Sequence, residues 1–308
     1  MYCFITSKVA AGSRSKRNRS GNQVVKASVV IVALALAVPA GGAVPRDTTA
    51  YQGLGAWVDI WDGTVWARPE ATVARMRDLG VTTLYLETSN YSQRVGLVRP
   101  SALARFVDAA HANGLRVVAW YLPSFRNLTV DLRRSLAAVR FRTPNGASFD
   151  SFALDIEASV VKPAQRRTAR LLALTARLRA AVGQRYPLGA IIPAPRGMDL
   201  RPSYWPGFPY AELARRFDVF LPMGYFTCRY KSAEAARAYT SANIALIRER
   251  VGDDGVAVHP VGGLAASATV AQVRAFAAAA AEQGALGASL YDYASTRADE
   301  WRALSAAA

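Results

Sequence analysis

From Tyr51 onward, short runs rich in branched and aromatic residues alternate with longer segments of helical period, and the alternation repeats eight times. The spacing predicts strands at Leu54–Trp61, Thr82–Thr88, Arg116–Leu122, Ser151–Glu157, Leu188–Pro193, Val219–Tyr225, Val256–Val261 and Ala285–Tyr291. Helices are expected at Pro69–Leu79, Ser101–Asn113, Val130–Arg142, Pro163–Arg185, Tyr210–Phe217, Ala233–Val251, Thr269–Gln283 and Arg297–Ala307. Gly80, Gly114 and Gly284 each end a helical run immediately before a strand, where a helix C-terminus favours glycine. Eight βα units over about 260 residues match a single α/β domain, a closed (β/α)8 TIM barrel spanning residues 44–308. A doubly wound open sheet is the rival, disfavoured by the count of eight and by a first βα turn without a glycine fingerprint.

The residues before the barrel read differently. Six basic side chains (Lys8, Arg14, Lys16, Arg17, Arg19, Lys26) and no acidic one precede an apolar run, Ala27–Ala40, followed by Gly41-Gly42-Ala43. This is the layout of a signal peptide over residues 1–43, which implies a secreted or extracytoplasmic protein. The alternative is an uncleaved anchor, but the run is shorter than the roughly 20 residues a membrane span needs, so the mature form is expected to lack a stable span. Of 38 Lys and Arg, setting these six aside leaves 32 against 22 acidic residues, a net charge of about +10. Such an excess suits anionic surroundings such as a cell envelope. Nucleic acid is not expected, because the basic residues are spread over helices without one stripe of interleaved aromatics. Cys3 falls in the leader, and His111 and His259 are the only histidines, so neither a metal site nor a cofactor is expected.

In such a barrel the chemistry sits at the carboxyl ends of the strands. Those ends carry Trp57, Asp59, Trp61, Glu87, Trp120, Tyr121, Tyr225, Tyr291 and Asp292, the candidate substrate-binding residues. Flat aromatic faces suit stacking on sugar rings, and carboxylates accept from hydroxyls, so the implied ligand is a polysaccharide or oligosaccharide. Each aromatic alone could equally be core filler.

The segment Phe149-Asp150-Ser151-Phe152-Ala153-Leu154-Asp155-Ile156-Glu157 is the most informative. Alternation along a strand puts Ala153, Asp155 and Glu157 on one face, with the two carboxylates about 7 Å apart. Two acids so placed raise the pKa of at least one, keeping a proton available near neutral pH for a glycosidic oxygen. An ion pair with Arg126 or Arg196 would be the structural reading of the same residues. The stretch resembles the strand-four D-G-x-D-x-D-x-E of family 18 glycoside hydrolases: Asp150, Asp155 and Glu157 match, while Ser151 and Ala153 replace the Gly and the middle Asp. Asp155-Ile156-Glu157 is also similar to the D-x-E of family 25 muramidases. Met223-Gly224-Tyr225-Phe226 resembles the family 18 strand-six M-x-Y-D with Phe226 for Asp, and Gly287–Tyr291 resembles strand eight with Tyr291 for Trp.

The resemblance implies Glu157 as general acid and Asp155 as its partner, orienting a substrate N-acetyl group or stabilising positive charge, with Tyr225 bonded to the same substrate group. Asp59, Glu87 or Asp292 could instead supply a second carboxylate, Asp59 first among them. Asp150 and Asp218 precede their strands and are expected to be structural. Two other readings remain open here: a non-catalytic carbohydrate-binding barrel, suggested by Ala153 and Phe226, and a cofactor-dependent lyase. The lyase finds neither a strand-end lysine nor a phosphate loop beyond the Gly262-Gly263 pair.

Overall fold

The computed structural model describes residues 47–306; the expected leader, Cys3 included, lies outside them. Eight strands, β1 (Gly53–Val58), β2 (Thr83–Asn90), β3 (Arg116–Leu122), β4 (Ser151–Asp155), β5 (Leu188–Pro193), β6 (Val219–Met223), β7 (Val261–Leu264) and β8 (Gly287–Tyr291), close in sequence order into a parallel barrel. Ten α-helices are described: α1 (Gly63–Ala67), α2 (Pro69–Asp78), α3 (Pro100–Ala112), α4 (Leu128–Val139), α5 (Ala164–Val182), α6 (Pro195–Asp199), α7 (Tyr210–Ala214), α8 (Ala233–Val251), α9 (Val270–Glu282) and α10 (Ala298–Ser305). Among the described residues no helix is long and apolar enough to cross a membrane.

The alternation within each strand separates two apolar layers. On β4, Phe152, Leu154 and the following Ile156 belong to the layer between sheet and helices, whereas Ala153 faces the interior with Trp57, Tyr85, Val118, Trp120, Ile191, Val219, Leu221 and Val261. Each fully buried large side chain such as Phe152 contributes about 2–3 kcal/mol over its exposed state. The seam between β8 and β1 closes on two glycines: a Cβ at Gly287 would sit 1.9 Å from the Gly53 carbonyl oxygen, and Gly53 has φ +77°. Asn127 caps α4 by accepting from the Val130 N–H at 3.1 Å, and Thr269 with Gln272 forms a capping box on α9.

Six strands differ in their bounds from the sequence expectation, and three of these differences bear on the site. β7 begins at Val261 instead of Val256, because Pro260 has no N–H for the ladder and only an isolated bridge joins Val258 to Phe220. β1 stops at Val58, where Asp59 turns the chain by accepting the Trp61 N–H at 2.6 Å. β4 stops at Asp155, so Glu157 stands on the loop beyond it. The short helices α1 and α6 were not legible, since five residues carry too little period.

The closed end of the barrel is corked by Tyr51, whose hydroxyl lies 2.5 Å from Ser151 Oγ. Its carbonyl is 2.8 Å from His259 Nδ1, so that nitrogen donates; Nε2 then accepts from Ser289 Oγ at 3.1 Å, which itself accepts from Trp57 Nε1 at 2.8 Å. Burial holds the His259 pKa down at about 4, so the ring is neutral. Asp150 and Asp218 anchor the same end. Each accepts a backbone N–H at 2.7 Å, from Val117 and Leu188 respectively, and Asp218 pairs with buried Arg179 at 2.7 Å.

Candidate active site

Asp155 ends the inward-facing series of β4. It is only 6% exposed, and its Oδ1 has no hydrogen-bond partner. Burial raises its pKa well above the usual carboxylate range, and the charges of Glu157 and Glu87 raise it further. Glu157, partly exposed on the loop, is also raised by the protein packed around it. Its backbone carbonyl accepts from the Tyr204 hydroxyl. Tyr204 comes from the β5–β6 crossover and is held from beneath by Arg167, which donates to the Tyr204 carbonyl at 2.5 Å and lies 4.0 Å over the Trp205 ring. Neither expected arginine pairs with these acids: among the described residues no ion pair includes Asp155 or Glu157.

Glu87, on β2, is 2% exposed and accepts from Ile60 N–H and from Asn90 Nδ2, both at 3.0 Å. Burial nevertheless wins over those two bonds and pushes its pKa to about 8, with Asp59 and Asp62 adding to the rise. Beside it lie three acids from the ends of β1 and β8. Carboxylate oxygens of Asp59, Asp62 and Asp292 all come within 4.8 Å of one another, close enough to hold a cation between them. Asp59 accepts from Tyr291 Oη at 2.8 Å, and Asp292 accepts from Ser295 N–H at 2.9 Å and from its hydroxyl at 2.7 Å. Burial first, then the charges of Asp59 and Asp292, push Asp62 up to about 7.

Tyr225 joins the two acidic groups. Its ring centroid is 6.2 Å from that of Tyr291, and burial raises its phenol pKa, as do the neighbouring charges of Glu157, Asp155 and Asp292. The structure thus brings Asp59, Glu87, Asp155, Glu157, Tyr225, Tyr291 and Asp292 to one mouth.

The tryptophans separate. Trp61 stands 56% exposed at the rim, whereas Trp57 and Trp120 are 2% and 5% exposed and pack edge to face beneath it, their centroids 6.0 Å apart. The Trp120 Nε1 has no partner. Tyr121 is placed elsewhere: alternation turns it out of the barrel, where its hydroxyl donates to Asp131 on α4 at 2.7 Å. Tyr204 was missed from sequence, whereas Asp62 stands among the polar residues at the end of the first predicted strand. Asp62 sits on the turn after β1, and Tyr204 reaches Glu157 from 47 positions away with no local pattern to announce it.

No protein-family model and no curated protein matches the chain. Solved structures do. A class V chitinase from Pseudomonas fluorescens Pf-5 superposes with TM-score 0.60 at 12% identity, over 83% of this chain and 99% of that one. A family 18 chitinase from Cycas revoluta in complex with allosamidin gives TM-score 0.60 at 11% identity, over 82% and 99%. The spore cortex-lytic enzyme of Bacillus cereus gives TM-score 0.60 at 11% identity, over 86% and 76%. At these identities the likeness is one of fold. The chain shares the closed (β/α)8 barrel fold of these enzymes.

Proposed function

We propose that the mouth cleaves a glycosidic bond in a polysaccharide, with Glu157 as the general acid and Asp155 as its partner. The observation that carries this reading is the acid pair at the end of β4, Asp155 buried and Glu157 partly so, with no base paired to either. A carboxyl group that keeps its proton near neutral pH can deliver it to a leaving oxygen. Asp155, its Oδ1 without a partner, orients a substrate group beside the acid, and Tyr225, in the field of both acids, is placed to bond the substrate. Trp61 offers the exposed stacking face. A leader over residues 1–43 would carry the protein out of the cytoplasm to such a substrate.

The test is turnover of chitin, peptidoglycan and α- or β-linked polysaccharides by wild type and Glu157→Gln. Gln keeps the shape and removes the transferable proton, so turnover should fall about 100-fold or more with binding retained. Wild-type turnover by the variant overturns the assignment. A second reading, a barrel that binds glycans without cleaving them, is favoured by fully buried, apolar Ala153 and Phe226 where the family 18 pattern has acids. Glycan binding without cleavage by wild type would select it.

A further inference from the structure

The mouth gathers acidic side chains in a chain that is basic overall. The sequence holds 38 Lys and Arg against 22 Asp and Glu, yet Asp59, Asp62, Glu87, Asp155, Glu157 and Asp292 gather at one end of the barrel. Among the described residues none of the six joins an ion pair with an arginine, lysine or histidine. Carboxylates that serve only the fold are treated otherwise in this protein: Asp218 pairs with Arg179, and Asp150 with His111 at 2.9 Å. Burying unpaired carboxyl groups is costly, and a cation from outside relieves that cost.

A second observation points to a ligand. Asp155 is more than nine-tenths buried, faces the mouth beside Glu157 and Glu87, and its Oδ1 has no partner of any kind. It is an acceptor waiting for a donor. Aromatic faces complete the surroundings: the Tyr225 and Tyr291 rings line the gap between the two acidic groups, and Trp61 stands at the rim. Carboxylates with aromatic faces form the pattern that recognises an ammonium, which brings three N–H donors and a charge attracted to π-faces.

Resting on the glycan reading above, we propose that the mouth selects a cationic glycan, one whose amino sugars carry free ammonium groups in place of acetamides. The ammonium groups flanking the scissile unit contact the Asp59, Asp62 and Asp292 group on one side and Asp155 on the other. The basic remainder of the chain disfavours general attraction to a polycation, so a preference for the amino form points to the mouth itself.

The test is calorimetric titration of wild-type protein with β-1,4-linked glucosamine tetramer, its N-acetylated counterpart, cellotetraose and tetralysine, in 50 mM and 500 mM NaCl. The glucosamine tetramer should bind at least 10-fold more tightly than either neutral tetramer in low salt, with the ratio narrowing in high salt as the charges are screened. Asp62→Asn combined with Asp292→Asn should bring the ratio below about 3-fold. Because a ratio is read, a general loss of binding cancels, and Asp62→Asn alone should give an intermediate value if the double variant misfolds. Neutral tetramers binding as tightly as the amino form overturn this proposal and leave the glycan reading standing. Tetralysine binding as tightly as the glucosamine tetramer overturns it too, and binding of no saccharide at all overturns both.

Discussion

The indole of Trp57 lies flat on the phenol ring of Tyr85, with centroids 4.2 Å apart and 7° between the planes. The pair floors the mouth, and the Trp57 N–H is committed to Ser289 Oγ. Trp57→Ala is therefore expected to cost about 3–5 kcal/mol of stability, read by denaturant unfolding. Trp61→Ala, at an exposed rim position, should leave stability within about 0.5 kcal/mol and weaken glycan binding by about 1–3 kcal/mol. Unchanged binding together with a large stability loss at Trp61 would make it packing instead.

The acid pair predicts a pH profile. With both pKa values raised, kcat/KM should hold near neutral pH and fall on the alkaline side as the general acid loses its proton. Asp155→Asn removes one member of the coupled pair, so the alkaline limb should change position while turnover falls. An alkaline limb that stays in place would mean the two groups do not titrate together.

Glu87 predicts how stability depends on pH. Its folded pKa of about 8 exceeds the unbound value of 4.5, so between them the folded state holds the extra proton. Its contribution is fully present below pH 4.5 and is lost as the pH rises through 8. The Tm of wild type minus that of Glu87→Gln should therefore decline by roughly 5 °C or more from pH 5 to pH 9. A constant difference would place the proton elsewhere.

Arg179 and Asp218 form the most buried ion pair described, 5% and 1% exposed in their side chains. Arg179→Leu strands a buried carboxylate and should destabilise by about 3–5 kcal/mol, while turnover per folded molecule stays unchanged. A selective loss of turnover would contradict the assignment of that end of the barrel to stability.

Export is checked by intact mass of the protein from culture medium, expected to begin near Val44. A cytoplasmic protein retaining residues 1–43 would refute the leader reading.

The barrel was legible because eight repeats of two periods leave little choice of fold, and β4 was legible because a wrong register would turn Phe152, Leu154 and Ile156 into the interior. Trp120 and Tyr121 show where the reading stopped short. Adjacent residues of one strand face opposite sides, so only Trp120 could point inward, and Tyr121 went to α4. β7 was misplaced by a branched run that ends in Pro260. Tyr204 was illegible for another reason: a crossover brings it to the mouth, and no periodicity encodes where a loop returns.

Tyr51 is the first buried aromatic of the described chain, yet its hydroxyl meets a residue 100 positions later and its carbonyl one 208 positions later. A fragment ending before His259 could build most of the strands and still lack the partner that holds this cork in place. Synthesis from the N-terminus thus delivers the stopper long before the vessel it closes, and the interior stays open to water until the last quarter of the chain has arrived.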